Sequence, residues 1–123
     1  MPTTKILTVD DSRSMRALLR MTLAGSGFSV VEAEDGQAAL DWLEANEVDL
    51  IITDINMPRL DGFEFIERLR EENRRHVGRP ILVLTTEQTA EKRARAREAG
   101  ATGWLPKPFD PEQLVAAVRH VVH

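Results

Sequence analysis

Five short apolar runs alternate with amphipathic stretches along the chain, and this alternation limits the fold more than any other feature. The runs are Lys5–Val9, Phe28–Ala33, Val48–Thr53, Pro80–Thr85 and Thr102–Leu105. Several of them, Val48-Asp49-Leu50-Ile51-Ile52 most clearly, are apolar on both faces, as strands covered on both sides must be. Between them, Met15, Leu18, Leu19 and Thr22 share one helical face, closed by the stop signals Gly25 and Gly27. Ala39, Leu40 and Leu43 repeat the spacing, as do Phe63, Ile66 and Leu69. Leu114, Val115, Val118, Val121 and Val122 form the cleanest stripe, with Asp110 placed to cap that helix and Pro111 at its first position. Glu87–Ala99 is Ala-rich and carries Lys92, Arg93, Arg95 and Arg97, which predicts an exposed, weakly anchored helix. Five strands alternating with five helices predict an α/β fold, an open parallel sheet wound on both faces.

The 123 residues allow one domain, spanning residues 1–123, and an apolar fraction of 42% supplies its core. There is no Cys, which excludes disulfides, thiolate-bound zinc and a cysteine nucleophile. The formal charge is −4, distributed unevenly: residues 1–61 hold 11 acids and 5 bases, residues 62–123 hold 9 and 11. That balance argues against nucleic acid as a dedicated partner. No secretory signal is visible, and no apolar run approaches the roughly 18 residues of a membrane span. A cytoplasmic location without membrane insertion is the expectation.

The polar residues that close the apolar runs converge on one edge of such a sheet. Asp10-Asp11 follows the first strand, Asp54 the third, Thr85-Thr86 closes the fourth, and Lys107 follows the fifth. In open α/β sheets, ligands bind at that edge, where the strand order reverses. Three crowded carboxylates repel unless a cation joins them, and oxygen ligands select Mg²⁺. Three negative charges against one Mg²⁺ and one Lys⁺ sum to zero. A hydroxyl and an ammonium aimed at the same point suit a phosphoryl group. No His belongs to the set, which argues against a transition metal. The loop Ile55–Gly62 is long for a strand-to-helix connection, where roughly 2–6 residues are usual, and such loops commonly carry function.

Each acid taken alone is equally a turn or cap residue. Met15, Met21, Phe63 and Phe65 read as packing residues, and Trp104 by itself as core or half-buried surface. His76, His120 and His123 follow no metal spacing. Arg68, Arg70, Arg74, Arg75 and Arg79, with Arg93, Arg95 and Arg97, read as solvated helix faces, because Glu67, Glu71, Glu72 and Glu91 are interspersed.

Ile6–Ser12, Asp54–Gly62, Thr85 and Lys107-Pro108-Phe109 together resemble the receiver domain of two-component response regulators, over essentially the whole chain. With nothing attached, the chain is similar to single-domain regulators of the chemotaxis type. The resemblance implies a flavodoxin-like sheet of five parallel strands in the order 2-1-3-4-5. It implies Asp54 as phosphoacceptor from a sensor histidine kinase. It also implies Mg²⁺ held by Asp11, Asp54 and the Asn56 backbone carbonyl, with Asp10 acting largely through water. Lys107 would pair with the phosphoryl group and Thr85 would donate to it. Lys107-Pro108 would be a cis peptide, and Trp104 would stand at the aromatic switch position, turning inward as Thr85 moves. Output would then leave a monomer through the fourth helix, fifth strand and fifth helix. The recipient is a downstream protein such as a flagellar motor switch component, unless the chain serves as a phosphate sink or relay. Thr86, Trp104, Asn56 and Glu87 differ from the commonest residues of the family or fall at its variable positions. The rival from the enzyme class is a Mg²⁺-dependent phosphatase with an Asp nucleophile. Such enzymes commonly carry a second Asp two residues on, where this chain has Asn56. A third possibility, an interaction module that is never phosphorylated, would lack part of the acidic set, and none is missing.

Overall fold

In a computed structural model, which describes residues 3–72 and 78–122, five strands alternate with five helices. The strands are β1 (Lys5–Val9), β2 (Ser29–Ala33), β3 (Leu50–Thr53), β4 (Ile81–Thr85) and β5 (Gly103–Pro106). The helices are α1 (Arg13–Ala24), α2 (Gly36–Leu43), α3 (Gly62–Glu72), α4 (Ala90–Ala99) and α5 (Pro111–Val121). All strand pairs are parallel, in the order β2-β1-β3-β4-β5, as the resemblance implies.

Side-chain alternation along the strands splits the core into two layers. Leu7, Val9, Ile51, Ile81 and Val83 meet α2, α3 and α4 through Leu43, Phe65, Ile66, Leu69 and Ala96. Their neighbours Ile6, Leu50, Ile52, Leu82 and Leu84 meet α1 and α5 through Leu19, Leu23, Leu114 and Val118. The central strands are therefore apolar on both faces because each face carries helices.

Local signals set the helix starts. Ser12 caps α1 by accepting from Met15 N, Asp35 caps α2 from Ala38 N, and Thr89 caps α4 from Lys92 N. Asp110 accepts from Glu112 N at the start of α5, with Pro111 beside it, as the sequence predicts. Only Ala96 of α4 is buried, in keeping with a weakly anchored helix.

Three expectations need correction. Leu18 and Met21 are 51% and 73% exposed, so neither packs inward, and the buried stripe of α1 runs through Leu19 and Leu23. Strand bounds also shift. Phe28, Val48 and Pro80 precede their ladders, and Pro106 joins β5 opposite Thr85, where an edge strand tolerates its missing N–H. Arg70 is not solvated: it is half-buried and donates from Nη2 to Gly100 O at 2.8 Å, closing the carboxyl end of α4. His120 is exposed, while Arg74, Arg75, His76 and His123 lie outside the described residues.

Candidate functional site

The carboxyl ends of β1, β3, β4 and β5 deliver side chains to one point. Asp10 and Asp54 are buried there, Asp11 is exposed, and one carboxylate oxygen from each lies within 4.8 Å of the others. Lys107 reaches across from beyond β5, with its Nζ 2.7 Å from Asp10 Oδ2 and 2.7 Å from Asp54 Oδ2. Burial works against its charge, but the hydrogen bonds and charges of Asp10 and Asp54 outweigh that cost and hold its pKa above the ordinary lysine value. The other oxygens are fixed by the backbone: Asp10 Oδ1 accepts from Ser12 N at 2.9 Å, and Asp54 Oδ1 from Ile55 N at 2.6 Å. Because Ser12 caps α1, neither Asp10 nor Asp11 serves as its N-cap.

Three carboxylates and one ammonium leave two negative charges. Each carboxylate offers about four lone-pair directions, and the hydrogen bonds to Asp10 and Asp54 leave several free. All donors are oxygens and one carboxylate faces solvent, a set that suits a hard divalent cation retaining water.

Thr85 is fully buried, and its hydroxyl accepts from Glu87 N at 3.2 Å. Its carbonyl accepts from Lys107 N at 3.0 Å, which ties β4 to the lysine. The Lys107-Pro108 bond is cis, as the resemblance implies. Asn56 is exposed, and its side-chain amide donates to Glu87 Oε1 at 3.2 Å. Glu87 also pairs with Lys92 at 2.9 Å; Lys92 first, then Asn56, holds its carboxyl below the usual range. Thr86 is exposed beside them. Trp104 is half-buried against the α2–α4 layer, and its indole Nε1 is buried with no hydrogen-bond partner among the described residues.

Residues 6–119 match the response regulator receiver domain family. The chain belongs to that family. Among solved structures, this receiver domain is similar to the chemotaxis protein CheY4 of Vibrio cholerae. The two are 42% identical over 98% of this chain and 99% of that one, with a TM-score of 0.92. It also resembles a putative response regulator from Chloroflexus aurantiacus, 32% identical over 98% of each chain, again with a TM-score of 0.92. Among curated proteins it is 43% identical over 115 residues to the response regulator MprA of Mycolicibacterium vanbaalenii. That alignment covers 94% of this chain and 48% of MprA, so the receiver domain spans about half the length of the curated relatives it matches.

The structure thus brings Asp10, Asp11, Asp54, Thr85 and Lys107 to one edge of the receiver domain, with Asn56 on the adjoining loop. Sequence reasoning missed the Asp35–Arg59 pair. Asp35 is legible as a helix cap, but its Arg59 partner, 24 residues on, leaves no local pattern.

Proposed function

We propose that the chain is a phosphoacceptor switch in which Asp54 takes a phosphoryl group from a phosphohistidine of a sensor kinase. The observation that carries this reading is Lys107 Nζ, held at 2.7 Å from both Asp10 and Asp54. It fixes one Asp54 oxygen, while Ile55 N fixes the other, so the carboxylate is oriented before any donor arrives. An Asp54 oxygen forms the new bond to phosphorus as the phosphorus–nitrogen bond breaks. The imidazole nitrogen leaves with the electron pair and takes up a proton from solvent. The transferred oxygens gain charge stabilisation from the Lys107 ammonium, and the Thr85 hydroxyl, freed from Glu87 N, donates to one of them.

Mg²⁺ would be held by Asp10, Asp11, Asp54 and the Asn56 backbone carbonyl. When bound, it neutralises phosphoryl oxygen charge and orients the group for in-line attack. The chain acts once on itself and on its own acyl phosphate, and turns over no external substrate. The engagement of the Asn56 amide with Glu87 supports this over the phosphatase reading, since that position offers no acid or base.

Residues 1–123 act as one receiver domain, monomeric and cytoplasmic. The resemblance to CheY4 supports output to a protein partner through α4, β5 and α5, in motor or chemotaxis control. Withdrawal of the Thr85 hydroxyl from Glu87 N and movement of Trp104 would change that face. The MprA likeness supports the receiver role alone, and a phosphate sink uses the same chemistry.

Phosphoramidate with Mg²⁺ tests the site, because its phosphorus–nitrogen bond imitates phosphohistidine. Intact-mass measurement should show one added phosphoryl group, lost in Asp54→Asn and suppressed by chelation. Undiminished labelling of Asp54→Asn would overturn the assignment.

A further inference from the structure

The Ile55–Asp61 loop is fastened to the first turn of α2, and the fastening is built from residues outside the acidic site. Asp35 is 2% exposed, and its two oxygens are divided between tasks. Oδ1 caps α2 through Ala38 N at 2.8 Å, and Oδ2 accepts from Arg59 Nε at 3.0 Å and from Arg59 Nη2. Arg59 has φ 68°, in the left-handed region. A non-glycine residue is disfavoured there, so the backbone is held against its preference as this side chain turns towards Asp35. The next residue is pressed on the same turn: a Cβ at Gly36 would lie 3.0 Å from Leu60 O and 3.1 Å from Phe65 Cβ. The far end of the loop is closed by Gly62 N donating to Ile55 O at 2.8 Å. Between these two ties lie Asn56 and Pro58. An open cleft lined by Asp11, Glu34, Asp35, Pro58 and Arg59 places the pair beside the exposed carboxylate of the site.

We infer that Asp35 and Arg59 are positioning residues for divalent-cation binding: the pair holds in place the loop that carries the Asn56 carbonyl. The inference rests on the phosphoacceptor reading, in which that loop supplies a metal ligand. Electrostatics alone makes a different prediction, which gives the experiment its power. Arg59 is a cation near the site, so removing it should tighten binding of another cation and leave the Asp35 charge to attract it. If the pair acts by holding the loop, removing either partner weakens binding.

The test is calorimetric titration of the full chain with MgCl₂, without phosphodonor. Arg59→Asn is the informative variant, because Asn tolerates the left-handed backbone and the fold is not further strained. Asp35→Asn keeps an oxygen for the α2 cap and removes the charge. Each should weaken Mg²⁺ binding about tenfold, the scale found when groups supporting metal ligands are removed. The double variant should be no weaker than the worse single one, and Arg59→Lys should recover part of the loss. Circular dichroism and the thermal midpoint establish that each variant is folded, and Arg59→Lys carries the comparison if Arg59→Asn is not. Unchanged or tighter binding in a folded Arg59→Asn variant overturns the inference. Wild-type protein that binds no Mg²⁺ overturns the phosphoacceptor reading, and this inference with it.

Discussion

Lys107 Nζ stands 2.7 Å from Asp54 Oδ2, joining side chains 53 residues apart in sequence. Both groups are largely withdrawn from water, with side-chain exposures of 11% and 10%. A buried ion pair is poor evidence of added stability, but breaking one by removing a single partner strands a charge. Here two would be stranded, since Asp10 shares the same ammonium.

Lys107→Met should therefore lose about 3 kcal/mol of unfolding free energy in chelator at neutral pH. Added Mg²⁺ should then stabilise the variant more than the wild type, because a cation that binds the native state restores the missing charge. The raised lysine pKa means this contribution is present below the ordinary lysine value and fades only as pH rises through the folded one. Urea unfolding with and without Mg²⁺ checks the first two points. Equal stability of variant and wild type in chelator would contradict the charge argument.

Gly62 tests the loop by sterics. A Cβ there would lie 2.3 Å from Asp54 O and 2.8 Å from Ile55 Cα, both backbone atoms that cannot step aside without moving the site. Gly62→Ala should cost more than about 2 kcal/mol, within the range of overpacked buried positions. It should also reduce the rate of Asp54 labelling by phosphoramidate. Ala is otherwise the better helix former at this α3 position, so a stabilised Gly62→Ala variant would show that the loop is not so tightly packed.

The alternation of strands and helices and the gathering of acids at one sheet edge were legible for physical reasons that act along the chain, whereas the strand order came from the family resemblance. A strand buried on both faces must be apolar throughout, and a site at a sheet edge must follow each strand directly, so Asp10, Asp54, Thr85 and Lys107 announce themselves by position. What was illegible depends on packing between distant elements. Helix α1 offers one stripe through Met15, Leu19 and Leu23 and another through Leu18 and Met21, and only the placement of α5 and the sheet buries the first. Arg70 reads as a solvated cation and Arg59 carries no local sign of a partner, because their acceptors, Gly100 O and Asp35, are 30 and 24 residues away.

The two α1 stripes differ in consequence. Leu23→Ala should destabilise by about 2–5 kcal/mol, the cost of a cavity at a fully buried leucine. Met21→Gln, at a side chain 73% exposed, should stay within about 0.5 kcal/mol of wild type. Chemical denaturation of the two variants separates them, and similar losses would place Met21 in a packed environment.

Asp35 sets an acid-side dependence of stability. Burial raises its pKa, but the Ala38 N–H bond and the hydrogen bond and charge of Arg59 outweigh burial and leave it below the ordinary aspartate value. A carboxyl whose folded pKa is depressed contributes stability in full above its unfolded value, about 3.9. That contribution is lost as pH falls through the folded value, where protonation costs the native state its ion pair. Asp35→Asn carries no charge at any pH and keeps an oxygen towards Ala38 N. Its thermal midpoint should therefore lie furthest below that of the wild type near neutral pH, and the gap should narrow from about pH 4 downwards. Thermal unfolding at intervals from pH 7 to pH 3 measures the gap. A gap that stays constant, or widens in acid, would show that the charge of Asp35 does not stabilise the fold.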